Sequence, residues 1–240
     1  MTTDDLVDEL ERDLRAIGDS ARALGSKAYL KSDLEFIGVA AKPLREVARV
    51  FLDRHPGIDR ARLTRLVTDL WQRPVYEIKA VAVALLERNA RMLDVDDLEL
   101  VEDLLRRSHT WALVDWLCTK VVSPLVERDP AATEPTLRRW ATDDDFWIRR
   151  ASMLAQLPAL RAGGGDFELF ASLASSMVEE KQFFIRKAIG WILRDVSKKR
   201  PGLAFDFLLE HIDEVSGLSF REGSKYLPED QREELCQRRG

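Results

Sequence analysis

The chain has 240 residues, 45% apolar and 33% charged, with a net charge of -5. This composition describes a globular protein with a sizeable core, and no run approaches the ~18 apolar residues of a membrane span. The only cysteines, Cys118 and Cys236, make neither a disulfide framework nor a zinc set, which predicts a reducing, cytoplasmic setting.

The acidic opening MTTDDLVDEL lacks the apolar segment of a signal peptide, so none is expected. Asp4 to Ile17 reads as an amphipathic helix stopped by Gly18, and Ala21 to Lys31 as a short second one. Phe36, Ile37 and Gly38 form a tight apolar link. Pro43 suits the first turn of a helix that runs to about His55. Pro56-Gly57 breaks the chain, a helix covers Asp59 to Trp71, and Pro74 breaks it again.

From there a repeat appears. Segments beginning at Tyr76, Trp111, Trp147 and Phe184 read YEIKAVAVALLERN, WALVDWLCTKVV, WIRRASMLAQL and FIRKAIGWILRDV. Each opens on an aromatic residue and is followed by a second amphipathic helix, near Asp96–Arg107, Pro130–Ala141, Asp166–Val178 and Pro201–Val215. Helix pairs recurring about every 36 residues are the signature of an α-solenoid of the HEAT or armadillo type. We therefore expect an all-α fold: a single domain over residues 1–240, made of HEAT-like repeats and curved so that one face is concave.

Aligned on the aromatics, Lys79, Val114, Arg150 and Lys187 share a column, and Ala80, Asp115, Ala151 and Ala188 share the next. Asp115 thus stands where the sister repeats need only a small residue, four positions after Trp111 on the same helical face. A carboxylate on an apolar helix face is costly unless a partner or a function holds it. Trp191 is likewise the bulky exception in a column with Val83, Cys118 and Leu154. The start-position Trp147 reads as core.

Lys181 to Arg200 holds seven basic residues against one acid, Asp195. Lys187 and Arg194 flank Trp191 at helical spacing, giving a basic face with an aromatic in it, a pattern suited to a nucleic-acid backbone. Arg149 and Arg150 precede the run; Arg221 and Lys225 follow it. No metal-ligand spacing and no Gly-rich phosphate loop occur. Gly163-Gly164-Gly165 reads as a helix-ending linker, and His55, His109 and His211 are scattered, with His109 placed to cap or start the Trp111 helix. The set lacks a nucleophile–base pair, so acyl transfer is not expected.

Five segments in order carry a resemblance: YLKSDLEFIGV, Trp111-x-x-x-Asp115, DDDFWIRRA, FFIRKAIGWILR and REGSKYLP. From Tyr29 to Pro228 the sequence resembles the AlkD family of HEAT-like repeat DNA alkylation repair glycosylases. Ala112 departs from it, standing where many members carry a second acidic residue; this bears on substrate preference. The resemblance implies a cofactor-free, monomeric hydrolase that releases N7- and N3-alkylpurines such as 7-methylguanine and 3-methyladenine from double-stranded DNA. Such a protein works without a membrane, in the cytoplasm, on the nucleoid if bacterial.

It further implies catalytic roles for Asp115, Trp111 and Trp191. Asp115 would face a sugar turning cationic, with the two indoles packed on that sugar. Tyr29, Arg149, Arg150, Lys187, Arg194, Arg221 and Lys225 would contact DNA. Family members excise the base without drawing it into a pocket, unlike most glycosylases, which predicts tolerance of bulky adducts. Residue by residue, alternatives stay open. Arg150 is either a phosphate ligand or the ion partner of Asp115, Tyr29 a backbone contact or a plug for the solenoid end, and Trp191 a contact or core. The rival functions are a non-catalytic HEAT-repeat scaffold for unusual or branched DNA and a protein-interaction solenoid.

Overall fold

The computed structural model describes residues 2–240 and is helical throughout; among them no strand forms, only an isolated bridge between Glu35 and Val75. No helix among the described residues is long and apolar enough to cross a membrane. Contacts gather into two compact units, residues 1–125 and 126–240.

The first unit is built around one helix. α1 (Thr3–Ala16), α2 (Ser20–Leu30), α3 (Ala41–Arg54) and α4 (Arg60–Trp71) precede it, and α5 (Tyr76–Arg88) is the helix that α1, α3 and α4 enclose. α1, α3 and α4 all pack against α5, which is buried without interruption from Glu77 to Leu86. The starts follow from short polar caps. Thr2 and Asp5 close a capping box on α1, while Asp19 and Asp59 accept from the third residue of α2 and α4. α6 (Leu98–Arg106) and α7 (Trp111–Leu117) complete the unit.

The link between α2 and α3 is sewn to α5. Glu77, 1% exposed, accepts the backbone N–H groups of Ile37, Gly38 and Val39. Glu35 exchanges backbone bonds with Pro74 and Tyr76, and Phe36 stacks on Tyr76 with centroids 5.0 Å apart. Gly38 is required here: its φ is +88°, and a Cβ would lie 1.9 Å from the Asp19 carbonyl oxygen.

The second unit repeats the plan. α8 (Ser123–Arg128) leads from one unit into the next, followed by α9 (Pro130–Ala141), α10 (Phe146–Leu154), α11 (Leu157–Ala162) and α12 (Phe167–Ser175). α13 (Phe183–Ser197) is the enclosed helix, packed by α10, α11, α14 (Pro201–Glu210) and α15 (Gly217–Gly223), and α16 (Glu229–Arg239) ends the chain. Pro130 sits at the start of α9, and Gly163, in the left-handed region at φ 91°, terminates α11. The expected second helices are present, three of them shorter than periodicity alone suggests.

The aligned basic column has a structural role. Lys79 Nζ donates to the Arg107 carbonyl 28 residues on, at 3.0 Å. Arg150 donates to the Phe184 carbonyl 34 residues on, and Lys187 bonds Glu222 35 residues on, at 2.6 Å. Each base ties its repeat to the next. Val114, the fourth member, is fully buried instead.

Candidate DNA-facing site

The approach to α7 sets its first residue. Ser108, fully buried, bonds back to the Leu104 carbonyl at 2.8 Å. His109 then turns the chain with φ +53°, an uncommon conformation for a residue with a Cβ and one that favours short polar or imidazole side chains. His109 is exposed and is not the cap. Thr110 is: its hydroxyl accepts the Ala112 N–H.

Trp111 opens the helix half-buried. Asp115, also half-buried, lies one turn on along the same face. The helix then leaves α geometry. Cys118–Val122 forms a π-turn, and Thr119 Oγ1 donates to the Asp115 carbonyl at 2.7 Å. Single π-turns inside α-helices are frequent at functional sites. The exposed ring of Tyr29, in the last turn of α2, stands edge-on to Trp111 at 5.7 Å.

Behind this face lies a brace that sequence reading missed. Trp116 Nε1 donates to Glu87 at 2.8 Å, Arg45 donates to the same carboxylate at 3.3 Å, and the Arg45 guanidinium lies 4.3 Å over the Trp116 ring. Cation–π contact and the shared carboxylate thus hold α3, α5 and α7 in register.

In the second unit Trp191 is half-buried on α13, and its Nε1 donates to Asp195 at 3.1 Å. Asp195 is 3% exposed and also takes hydrogen bonds from Arg161 at 2.8 Å and Lys198 at 2.7 Å. Burial pushes its carboxyl up, but hydrogen bonds from Lys198 and Arg161 outweigh this and hold it below its ordinary value. Glu222, on α15, pairs with both Lys187 and Arg194, and the Lys187 bond leads in lowering its carboxyl.

The basic run is therefore largely committed inside the protein. Arg186 donates to the Glu180 carbonyl, Lys199 to that of Ala162, and Arg200 to that of Gly164. Arg149 is clamped on Glu180 and on the Asp143 and Asp144 carbonyls. Arg150 is 2% exposed, its guanidinium 5.8 Å from the Phe184 ring. Arg221, Lys225 and Tyr29 are exposed. Trp147 is only half-buried, in a ring cluster with Phe146 and Phe184, so it is not the core residue its repeat position suggested.

Folding also unites a serine, a histidine and a glutamate. His211 Nε2 lies 2.8 Å from Ser175 Oγ, and Nδ1 lies 2.7 Å from Glu214. The serine hydroxyl donates to the Ala171 carbonyl of its own helix, and His211 packs on Phe207 where α14 ends. His55 does the same at the end of α3, on Phe51 and with Glu9. Both histidines are helix-end clamps.

A family model described as "DNA alkylation repair enzyme" matches residues 10–227. The chain belongs to that family. A predicted DNA alkylation repair enzyme from Enterococcus faecalis matches this enzyme with a TM-score of 0.79 at 25% identity, covering 88% of this chain and 97% of that one. AlkD2 from Streptococcus mutans gives 0.67 at 19%, covering 94% and 99%. The Pseudomonas fluorescens alkylpurine DNA glycosylase AlkC, bound to DNA containing an abasic site analog, gives 0.52 at 15%, covering 93% and 61%. At those lower identities the last two share the helical-repeat fold. No curated protein matches the chain.

Proposed function

We propose that this alkylation repair enzyme is a DNA glycosylase. In this reading it hydrolyses the N-glycosidic bond of N7- and N3-alkylated purines in duplex DNA, as a cofactor-free monomer with residues 1–240 working as one domain. The observation that carries the reading is the Trp111–Asp115 face, a half-buried carboxylate one turn beyond a half-buried indole, where the helix turns from α to π geometry. AlkC, which shares the fold, is a glycosylase held on DNA, and this supports the same partner here.

The chemistry asks little of a general acid. Alkylation at N7 or N3 makes the purine cationic, so when the C1′–N bond breaks the electron pair leaves with the base and neutralises it. Positive charge then builds on the deoxyribose. Asp115 stabilises that charge and takes a proton from the water that attacks C1′. An opposite charge at about 4 Å in an effective dielectric of about 20 is worth roughly 4 kcal/mol, about a thousandfold in rate. The Trp111 ring face adds cation–π attraction as the charge grows.

Exposed Tyr29, Arg221 and Lys225 meet the backbone directly. Lys187 and Arg194 reach phosphate while still paired with Glu222, Arg150 acts by holding Phe184, and Arg149 acts by fixing the turn before its helix.

The test is release of 7-methylguanine from methylated duplex DNA, wild type beside Asp115→Asn, with duplex binding measured in parallel. Asp115→Asn should bind within a few-fold of wild type and release base about a thousandfold more slowly. Unchanged release would remove Asp115 from the chemistry. Binding without release by the wild type would favour the non-catalytic scaffold.

A further inference from the structure

Tyr226 lies in the turn after α15 and is 48% exposed, one of few large rings so open to solvent. Two ammonium groups converge on it. Lys198 Nζ lies 5.0 Å from its ring centroid and Lys225 Nζ 5.6 Å. Like charges brought to one ring repel each other, and among the described residues only Lys198 of the two has a carboxylate partner, Asp195. The Tyr226 quadrupole offsets part of that repulsion, and an anion bridging the two lysines would offset the rest.

The pair belongs to a larger network within the second unit. Arg161 and Lys198 bond Asp195, Arg194 lies 3.9 Å from it, and Arg194 and Lys187 share Glu222. With Lys225, five cations meet two carboxylates, an excess of three positive charges in a chain whose net charge is -5. Trp191 and Tyr226 are the aromatic members, joined through Asp195 and Lys198. A locally cationic lattice with open rings suits a polyanion carrying flat or sugar groups between its charges, which is the chemistry of a nucleic-acid strand.

We propose that Tyr226, with Lys198 and Lys225 on its ring, is a nucleic-acid backbone contact joined to Trp191 through Asp195. The lysines take one phosphate and the ring packs on the adjoining sugar. The inference rests on the glycosylase reading for its partner, but it concerns binding and not bond cleavage.

The experiment measures affinity for an unmodified duplex oligonucleotide across a salt series, for wild type, Tyr226→Ser and Lys225→Gln, with thermal unfolding alongside. Lys225→Gln should bind more weakly and reduce the slope of log K against log salt by about one. Tyr226→Ser should weaken binding by about tenfold with the slope nearly retained. Because Lys225 is exposed, its variant keeps the test valid even where Tyr226→Ser folds poorly. Wild-type affinity and slope in folded Lys225→Gln would overturn the proposal. Should wild type release methylated base while both variants bind normally, this contact alone falls. Should wild type release nothing while both variants lose affinity, the glycosylase reading falls and the contact stands.

Discussion

The ring of Tyr29 meets the indole of Trp111 edge-on, with centroids 5.7 Å apart and planes at 80°. Each partner sits two residues from a left-handed turn, Tyr29 before Lys31 and Trp111 after His109. Two tight reversals therefore bring an exposed phenol against the first residue of α7. Such a contact contributes about 0.5–1.5 kcal/mol, enough to bias one indole orientation but not to hold the fold. Tyr29→Ala should slow base release about three- to tenfold. Its unfolding midpoint should stay near wild type, since the residue is 71% exposed. Tyr29→Phe, which keeps the ring, should behave like wild type. A large drop in midpoint with normal release would make Tyr29 a brace for the end of the unit instead.

Glu77 carries a stability prediction. Its carboxylate is buried and accepts the N–H groups of Ile37, Gly38 and Val39. Glu77→Gln replaces one acceptor oxygen with an amide that points a donor at a donor. The loss should be about 3 kcal/mol, with the α2–α3 link the first region to exchange amide protons. Urea unfolding and hydrogen exchange read both. A variant as stable as wild type would show that the link holds itself.

Lys79 gives a pH dependence. In the folded chain burial and the nearby Arg107 charge push its amine down to about 8 from an ordinary 10.5, with Asp103 opposing them. Between those values the unfolded chain carries the proton and the folded chain does not. Unfolding then takes up a proton, so stability rises with pH from about 8 toward 10.5 and the contribution is lost below that window. Denaturant midpoints for wild type should climb across it relative to Lys79→Met, which has no proton to exchange there. A wild-type midpoint that falls relative to the variant over the same range would contradict the burial of a neutral amine.

The repeat was legible because Tyr76, Trp111, Trp147 and Phe184 recur at nearly constant spacing, and the exceptions within its columns drew the eye to Asp115 and Trp191. What the columns could not reveal was where each basic side chain ends. Lys79, Arg150 and Lys187 looked alike and reach a carbonyl, a carbonyl and a carboxylate in the following repeat. The run Lys181–Arg200 contains one acid, while Glu180, the partner of Arg149, lies in the link before α13, and Glu222, the partner of Lys187 and Arg194, on α15. The π-turn after Asp115 left no trace either, since Cys118 to Val122 keeps an apolar spacing that an α-helix would share.

If the Trp191 face meets DNA as proposed, Glu222 sets how strongly it attracts the backbone. It is the shared partner of Lys187 and Arg194, four positions before and three after Trp191. In the proposed reading the carboxylate is an internal counterion, and a phosphate would have to compete with it for either cation. Glu222→Gln should raise affinity for undamaged duplex a few-fold and steepen the salt dependence by about one ion. Preference for alkylated over undamaged DNA should fall with it, because the added attraction is blind to the lesion. Competition binding with methylated and unmodified duplexes measures all three. Weaker binding with a shallower slope would mean that Glu222 serves chiefly to aim the two cations, and the counterion account would be wrong.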